Sequence, residues 1–246
     1  MPGAPDTRFH DGASAGRANR SVAKHPVDKA RIRFRKSGAL RLLSHHDLMR
    51  TFERLLRRSD LPFHSSQGFH PKPRLIFALS LPLGVVGREE VVELELDEIL
   101  SAEEIHSRLA QQTPPGLEIL SVQRIPVKSN AQVSRLAYAV EVPADRAMDL
   151  GRRCADLLAA RECWIDRQRP HSRQAGRRLD LRPFLVDLLI HPPRGPAGNA
   201  RLEMVLRLTS TGTARPEEVL ALLGIEDLLD AGAILERSRL ELKDEG

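Results

Sequence analysis

The chain has 246 residues, of which 41% are hydrophobic and 29% are charged, and its formal net charge is +5. This composition can supply a buried core, so it excludes a wholly disordered protein. The longest apolar stretch, residues 75–86, is interrupted by Ser80, Pro82 and Gly84 and does not predict a transmembrane helix. The first thirty residues lack an apolar signal segment, and two cysteines cannot form a disulfide framework or hold an iron–sulfur cluster alone. We therefore expect a cytoplasmic protein that has no association with a membrane.

The first half of the chain alternates between strand and helix patterns. Residues 31–35 place Ile32 and Phe34 on one side and arginines on the other, which predicts a strand. Ser44 and Asp47 form a capping pattern that predicts the start of a helix, which must end before Pro62. The next elements are predicted as two strands, a helix and a strand, at residues 75–81, 91–96, 101–112 and 117–125.

The second half repeats this order of elements, from a strand at residues 135–142 to a strand at residues 233–242. The order β-α-β-β-α-β is typical of the ferredoxin-like fold, which has an antiparallel sheet. We therefore predict an α+β protein of two tandem ferredoxin-like domains with antiparallel sheets. The predicted boundaries are a disordered extension over 1–28, an N-terminal domain over 29–128 and a C-terminal domain over 134–246.

Charge is distributed unevenly along the sequence. Residues 31–74 contain eleven Lys and Arg against three Asp and Glu, a net charge of +8, whereas residues 84–120 contain two against nine, a net charge of −7. Residues 161–182 contain seven arginines against three acidic residues, a net charge of +4. Basic segments of this kind are typical of surfaces that bind a polyanion such as RNA. The alternative is that basic and acidic segments pair with each other inside the molecule.

Ten residues are candidates for binding RNA or another anion. Alternate residues of a strand are about 6.6 to 6.8 Å apart, a spacing that can follow the phosphates of a single strand. The loop at residues 64–74 combines basic side chains with turn-forming residues, and two further arginines precede prolines in the second half. The candidates are Arg33, Arg35, Arg50, Arg54, Gln67, Gly68, Lys72, Arg74, Arg182 and Arg215. The alternative for the first strand is that Glu93 and Glu95 of a neighbouring strand pair with its arginines.

If the protein is an enzyme, its candidate catalytic residues are His45, Asp47 and His70. Histidine titrates near neutral pH, and a nearby carboxylate can orient its ring for acid–base catalysis. The alternative is structural: His45 lies on the apolar side of the predicted helix, and Asp47 caps that helix. The sequence has no compact spacing of His and Cys residues, so it predicts no metal site.

Several short motifs occur in a fixed order: Arg33-Phe34, Leu43-Ser44-His45, Asp47-Leu48-Met49-Arg50, Gln67-Gly68-Phe69-His70-Pro71-Lys72-Pro73, Leu81-Pro82-Leu83-Gly84, Asp180-Leu181-Arg182-Pro183 and Arg215-Pro216. Together they resemble the bacterial radical-SAM-linked proteins, a family built on a domain of unknown function. The resemblance implies that this chain is the partner of a cobalamin-binding radical SAM protein. It also implies that the iron–sulfur cluster, S-adenosylmethionine and cobalamin belong to that partner, and that this chain binds no cofactor. At the level of the fold, the chain also looks like the repeat-associated RNA-processing proteins of CRISPR systems.

These observations favour an accessory protein without catalytic activity of its own, which binds RNA or an RNA-containing substrate through its basic surfaces. Two alternatives remain open. The first is a metal-independent ribonuclease that uses His45 or His70. The second is an adaptor that binds only protein and whose charges are paired internally.

Overall fold

The computed structural model of the protein describes residues 25–67, 69–167, 176–193 and 198–245. Most of the predicted extension, residues 1–24, lies outside the described residues, as do Gly68 and residues 168–175 of the second basic segment. The strands are β1 (Asp28–Lys36), β2 (Leu75–Phe77), β3 (Val86–Leu96), β4 (Leu117–Ile125), β5 (Val133–Val142), β6 (Trp164–Arg167), β7 (Arg177–Asp180), β8 (Leu185–His191), β9 (Ala200–Arg207) and β10 (Glu236–Leu242). The helices are α1 (His45–Arg58), α2 (Ala102–Ala110), α3 (Ala144–Ala147), α4 (Leu150–Ala159), α5 (Pro216–Leu222) and α6 (Asp227–Asp230).

Eight of the strands in the described part of the chain form one sheet. Its order is β4-β1-β3-β10-β5-β9-β8, and β2 pairs with β3 beside this path. Each neighbouring pair is antiparallel except β3 and β10, which are parallel. Strands β6 and β7 form a separate hairpin. The predicted α+β class is therefore confirmed, with a mixed and mostly antiparallel sheet.

The junction between β3 and β10 makes the sheet continuous across both halves, a feature that the sequence did not predict. It consists of the pairs Glu236 with Val86 and Arg237 with Gly87. A parallel pair between segments so distant in sequence leaves no local pattern that could reveal it.

Helix α1 forms as its sequence predicts. The Ser44 hydroxyl accepts a hydrogen bond from the backbone N–H of Asp47 at 3.2 Å and so caps the first turn. The apolar residues Leu48, Phe52 and Leu55 are buried against β1, where Ile32 and Phe34 project from the same face of the sheet. The opposite side of the helix, which carries its arginines, faces solvent.

Two groups of buried side chains form the core. The first joins β1, β3 and β4 to α1 and α2, and Ile105 of α2 is completely buried in it. The second is built mainly from β5, β8, β9 and β10 with α4 and α5, and it also contains Leu81, Val85 and Val91 from the first half. The predicted boundary between residues 128 and 134 remains a prediction.

Some elements differ from their predicted extents. Strand β2 ends at Phe77 rather than near residue 81, and the predicted helix over residues 144–160 is divided into α3 and α4. Helix α6 and strand β7 were not predicted. These are short elements whose apolar residues are too few to produce a clear periodicity.

Candidate RNA-binding surface

The arginines of β1 are neutralised by carboxylates. Arg31 is buried, and its Nη2 atom lies 3.0 Å from Glu93 Oε1, the residue opposite it on β3. Arg33 forms ion pairs with Glu89 and Glu245, and Arg35 Nη1 lies 2.6 Å from Glu118 Oε2 on β4. Cross-strand pairing, the alternative interpretation of this strand, therefore describes the geometry of these arginines.

The chain itself covers this face of the sheet. Lys29 Nζ lies 2.7 Å from Glu93 Oε2 and donates a hydrogen bond to the backbone carbonyl of Ser129 in the segment between β4 and β5. Asp244, in the final turn, lies 2.9 Å from Arg31. These contacts bury the charges next to the sheet and leave β1 little cationic surface for a ligand.

The arginines of α1 are exposed and mostly unpaired. Arg50 has one weak contact, 3.4 Å from Asp47. Arg54, Arg57 and Arg58 are exposed and form no hydrogen bond or ion pair with any residue that the structure describes. Arg50, Arg54 and Arg57 are spaced four and three residues apart, so they form one stripe about 10 Å long on the helix.

The loop at residues 64–74 is a short hydrogen-bonded hairpin that lies beside α1. Ser65 pairs with Pro73, and the backbone N–H of Ser66 donates to the carbonyl of Lys72 at 2.8 Å. The side chain of Lys72 lies 3.9 Å from Glu53 on α1, and this contact connects the loop to the helix. At the tip of the loop Gln67, Phe69 and His70 are exposed.

The helix and the loop together form one cationic surface, which we call the α1–loop surface. Its members share exposure to solvent, and they are Arg50, Arg54, Arg57, Arg58, Phe69, Lys72 and Arg74. Arg74 contacts Glu95 at 3.7 Å, a partner that is itself almost buried. Over residues 45–74 there are six Lys and Arg against three Asp and Glu, a net charge of +3. Such an excess of exposed cations attracts a polyanion.

The candidate catalytic residues are placed in three different environments. The ring of His45 packs edge-on against Phe77, with 5.3 Å between the centroids, and its buried Nδ1 atom has no hydrogen-bond partner among the described residues. Burial lowers the pKa of His45, and the nearby His46 and Lys36 act in the same direction. Its ring is therefore neutral near pH 7.

Asp47 does not orient His45. It accepts a hydrogen bond from the Ser44 hydroxyl at 2.7 Å, and this bond, with a smaller contribution from Arg50, lowers the pKa of Asp47. His70 is exposed in the loop, and in the described residues no hydrogen bond connects it with His45 or Asp47. The structure therefore does not assemble these three residues into one acid–base group.

The structure contains a buried histidine–carboxylate pair that the sequence analysis did not select. His64 Nδ1 lies 2.6 Å from Asp97 Oδ1, and His64 is almost completely buried. The two residues are thirty-three positions apart, so no short motif connects them. The backbone of His64 also forms hydrogen bonds with Glu95 and Arg74. The side chain and the backbone of His64 together therefore hold the base of the loop in place.

The two candidate arginines of the second half lie outside the α1–loop surface. Arg182 donates from Nε to the carbonyl of Ala160 at 3.1 Å and from Nη1 to the carbonyl of Leu185 at 3.0 Å, so it connects the end of α4 with the start of β8. Arg215 is exposed at the start of α5, on the rim of a cavity of about 580 Å³ that Tyr138 also lines. This cavity is largely apolar.

Neither a membrane-spanning helix nor a metal-binding group of side chains is found among the described residues. None of the helices in this part of the chain has the length and hydrophobicity needed to cross a bilayer. Residues 25–67, 69–167, 176–193 and 198–245 also contain no group of three or more His, Cys, Asp or Glu residues that could hold a metal ion.

The chain was compared with known proteins. A family model described as an uncharacterized protein conserved in bacteria (DUF2344) matches residues 29–216. Among solved structures, the chain is similar to the crystal structure of an unknown protein from Galdieria sulphuraria, with 15% sequence identity, a TM-score of 0.24, and coverage of 87% of this chain and 98% of that chain. No curated protein matches the chain.

Proposed function

The chain belongs to the DUF2344 family of proteins conserved in bacteria, and we propose that it is an accessory protein that binds RNA through the α1–loop surface. The observation that carries the proposal is the stripe of exposed arginines on α1, of which Arg54 and Arg57 have no acidic partner among the described residues. A buried charge is normally compensated, and the β1 arginines are compensated here. Arg54, Arg57 and Arg58 are exposed and have no acidic partner among the described residues, so their charges remain available to RNA phosphates.

The proposed partner protein comes from the resemblance to radical-SAM-linked proteins. On this proposal a cobalamin-binding radical SAM protein carries out the chemistry and holds the iron–sulfur cluster, S-adenosylmethionine and cobalamin. This chain would bring RNA, or a substrate that contains RNA, to that enzyme. The environments of His45 and Asp47 support an accessory role, because each side chain already has a structural contact.

We also propose that each half of the chain is a ferredoxin-like unit. The strand order β4-β1-β3-β2 in the first half and β10-β5-β9-β8 in the second supports this interpretation. In both units helices connect the first strand to the second and the third to the fourth. Strands β6 and β7 would then be an insertion in the second unit.

A salt series with designed variants tests the proposed function. The probe is a short, unstructured, fluorescently labelled RNA, and its affinity is measured between about 50 and 200 mM salt. Replacing Arg50, Arg54 and Arg57 by Gln should weaken binding. It should also reduce the slope of log affinity against log salt by about 2, because each phosphate contact on a single strand contributes about 0.7.

The control variant replaces Arg135, Arg146 and Arg152 by Gln. It removes the same number of positive charges, but these arginines lie outside the α1–loop surface and each contacts a carboxylate. Its salt slope should equal that of the wild-type protein, and thermal unfolding should show that both variants are folded. Equal slopes for the two variants would contradict the α1–loop surface, and absence of wild-type binding at low salt would favour the adaptor that binds only protein.

RNA cleavage that is lost on replacing His45 or His70 by Ala would contradict the accessory role.

A further inference from the structure

Phe69 is the most exposed apolar side chain among the described residues, with a relative exposure of 103%. Other phenylalanines in this part of the chain, including Phe34, Phe52 and Phe184, are buried. Burying such a ring stabilises the folded state, and the exposed ring of Phe69 contributes no stabilisation of this kind. A single exposed apolar residue is common, so exposure alone assigns no function.

The position of Phe69 distinguishes it from other exposed apolar residues. It lies at the tip of a hairpin whose two sides are held by the Ser65–Pro73 bridge and by hydrogen bonds between Ser66 and Lys72. The base of this hairpin is fastened by the His64–Asp97 pair. The ring is therefore carried on a supported stem, so ordering it on a ligand costs less conformational entropy than ordering a free loop would.

Basic side chains lie on the side of the hairpin that is next to α1. Lys72 contacts Glu53, and on the helix Arg50 and Arg57 are neighbours of Glu53 at spacings of three and four residues. Arg74 lies at the end of the same stem. Exposed rings next to a cationic track are the components that proteins use to bind single-stranded nucleic acid, because bases stack on the rings while the cations follow the phosphates.

A duplex cannot use this arrangement in the same way. Its bases are stacked and paired, and proteins recognise double-stranded RNA through its shape, its phosphates and its 2′-hydroxyl groups. A protruding aromatic ring can stack only on a base that is unpaired or that lies at the end of a duplex.

We propose that the α1–loop surface selects single-stranded RNA and that the Phe69 ring stacks on an unpaired base. This inference rests on the proposed function and adds the class of RNA and the residue that distinguishes it. Lys72 and Arg74, which are exposed and whose contacts with Glu53 and Glu95 are long at 3.9 and 3.7 Å, hold the phosphates next to the stacked base. The stripe of arginines on α1 binds the next phosphates along the same RNA strand.

The test compares one unstructured RNA with the duplex formed by annealing it to its complement. The wild-type protein should bind the single strand more tightly than the duplex at the same salt concentration. Phe69→Ala should weaken single-strand binding about fivefold or more, since base stacking on an aromatic residue has effects of this size. Phe69→Trp should retain the affinity. The salt slope should be the same in all three proteins, because no cation has been removed.

Leu83→Ala is the matched control, because Leu83 is another exposed apolar residue that lies outside the loop. It should leave both affinities unchanged. Salt-dependent RNA binding that is unaffected by Phe69→Ala, or equal affinity for single strand and duplex, would overturn this inference but leave the proposed function standing. Failure of the wild-type protein to bind either RNA would overturn both. If Phe69→Ala weakens binding to the radical SAM partner but not to the single strand, Phe69 is a protein-docking residue and the inference is wrong.

Discussion

Arg33 and Arg57 carry the same charge, but only Arg57 is available to a ligand. Arg33 projects from a sheet between Glu89 and Glu245, whereas Arg57 projects from a helix into solvent without an acidic partner among the described residues. The binding free energy gained when an arginine contacts an RNA phosphate depends on which groups the arginine already contacts in the free protein. Counting basic residues therefore overestimates the binding surface, and the partners of each side chain decide which ones matter.

His45 should make folding stability sensitive to pH. Its pKa is lowered in the folded protein, mainly by burial, whereas an unfolded histidine titrates near 6.5. Between these two values the unfolded state binds more protons, so stability decreases as the pH falls through this range and is unaffected above it. We expect His45→Gln to reduce the loss of stability between pH 7.5 and pH 5, a range that includes the pKa of histidine in the unfolded chain.

Urea denaturation at the two pH values measures this effect. His70→Gln serves as the control, because His70 is exposed in the loop and is not packed against an aromatic ring. An equal loss of stability in the wild-type protein and in the His45 variant would contradict the stated role of burial.

At the scale of elements, the junction of β3 and β10 depends on a buried ion pair. Arg237 is 1% exposed, and its Nε atom donates to Glu90 Oε1 at 2.7 Å while Nη1 donates to the carbonyl of Ser80 at 3.2 Å. Gly87 makes room for this pair, because a Cβ atom there would lie 2.5 Å from the Glu90 side chain. Glycine is therefore required where the two halves of the sheet meet.

Removing one member of this pair should be costly. Arg237→Met leaves Glu90 as an unpaired buried charge, and we expect a loss of about 3 to 5 kcal/mol in the free energy of unfolding. The double variant with Glu90→Leu should be more stable than Arg237→Met alone, because the carboxylate that lost its ion-pair partner is also removed. Denaturant unfolding of the wild-type protein, the two single variants and the double variant measures this coupling.

The exposed pair of Arg152 and Asp149 provides the control. Arg152→Gln should leave the free energy of unfolding nearly unchanged, because an exposed ion pair contributes little to stability. A double variant that is less stable than Arg237→Met would contradict the explanation by an uncompensated charge.

Local features of the elements were predictable because local sequence encodes them. Ser44 and Asp47 identify the start of α1, and the alternation around Ile32 identifies β1. The pairing of β3 with β10 and the contact of His64 with Asp97 were not predictable, since each joins positions that are distant in sequence. For the arginines of β1, Glu93 was foreseen as a cross-strand partner, whereas Glu118 of β4 and Glu245 of the last turn were not, because no local pattern places them beside this strand.

On the scale of the whole molecule, the uneven charge along the sequence is divided between two kinds of surface. The face of the sheet around β1 uses its charges in internal pairs, while the outer side of α1 and the adjacent loop keep theirs exposed. Exposed basic side chains and internally paired ones, which the sequence analysis treated as alternatives, thus occur on different parts of the structure. The RNA-binding proposal concerns only the first of them.

The most direct test of this account maps where RNA lies on the wild-type protein. Ultraviolet crosslinking of a bound single-stranded RNA to the full chain, followed by identification of the crosslinked peptides, gives this position without any substitution. The account predicts crosslinks within residues 45–58 and 64–74, with Phe69 or Lys72 among the modified residues. Crosslinks that are confined to the strands of the second half, such as β5 and β9, would contradict the α1–loop surface as the RNA-binding site.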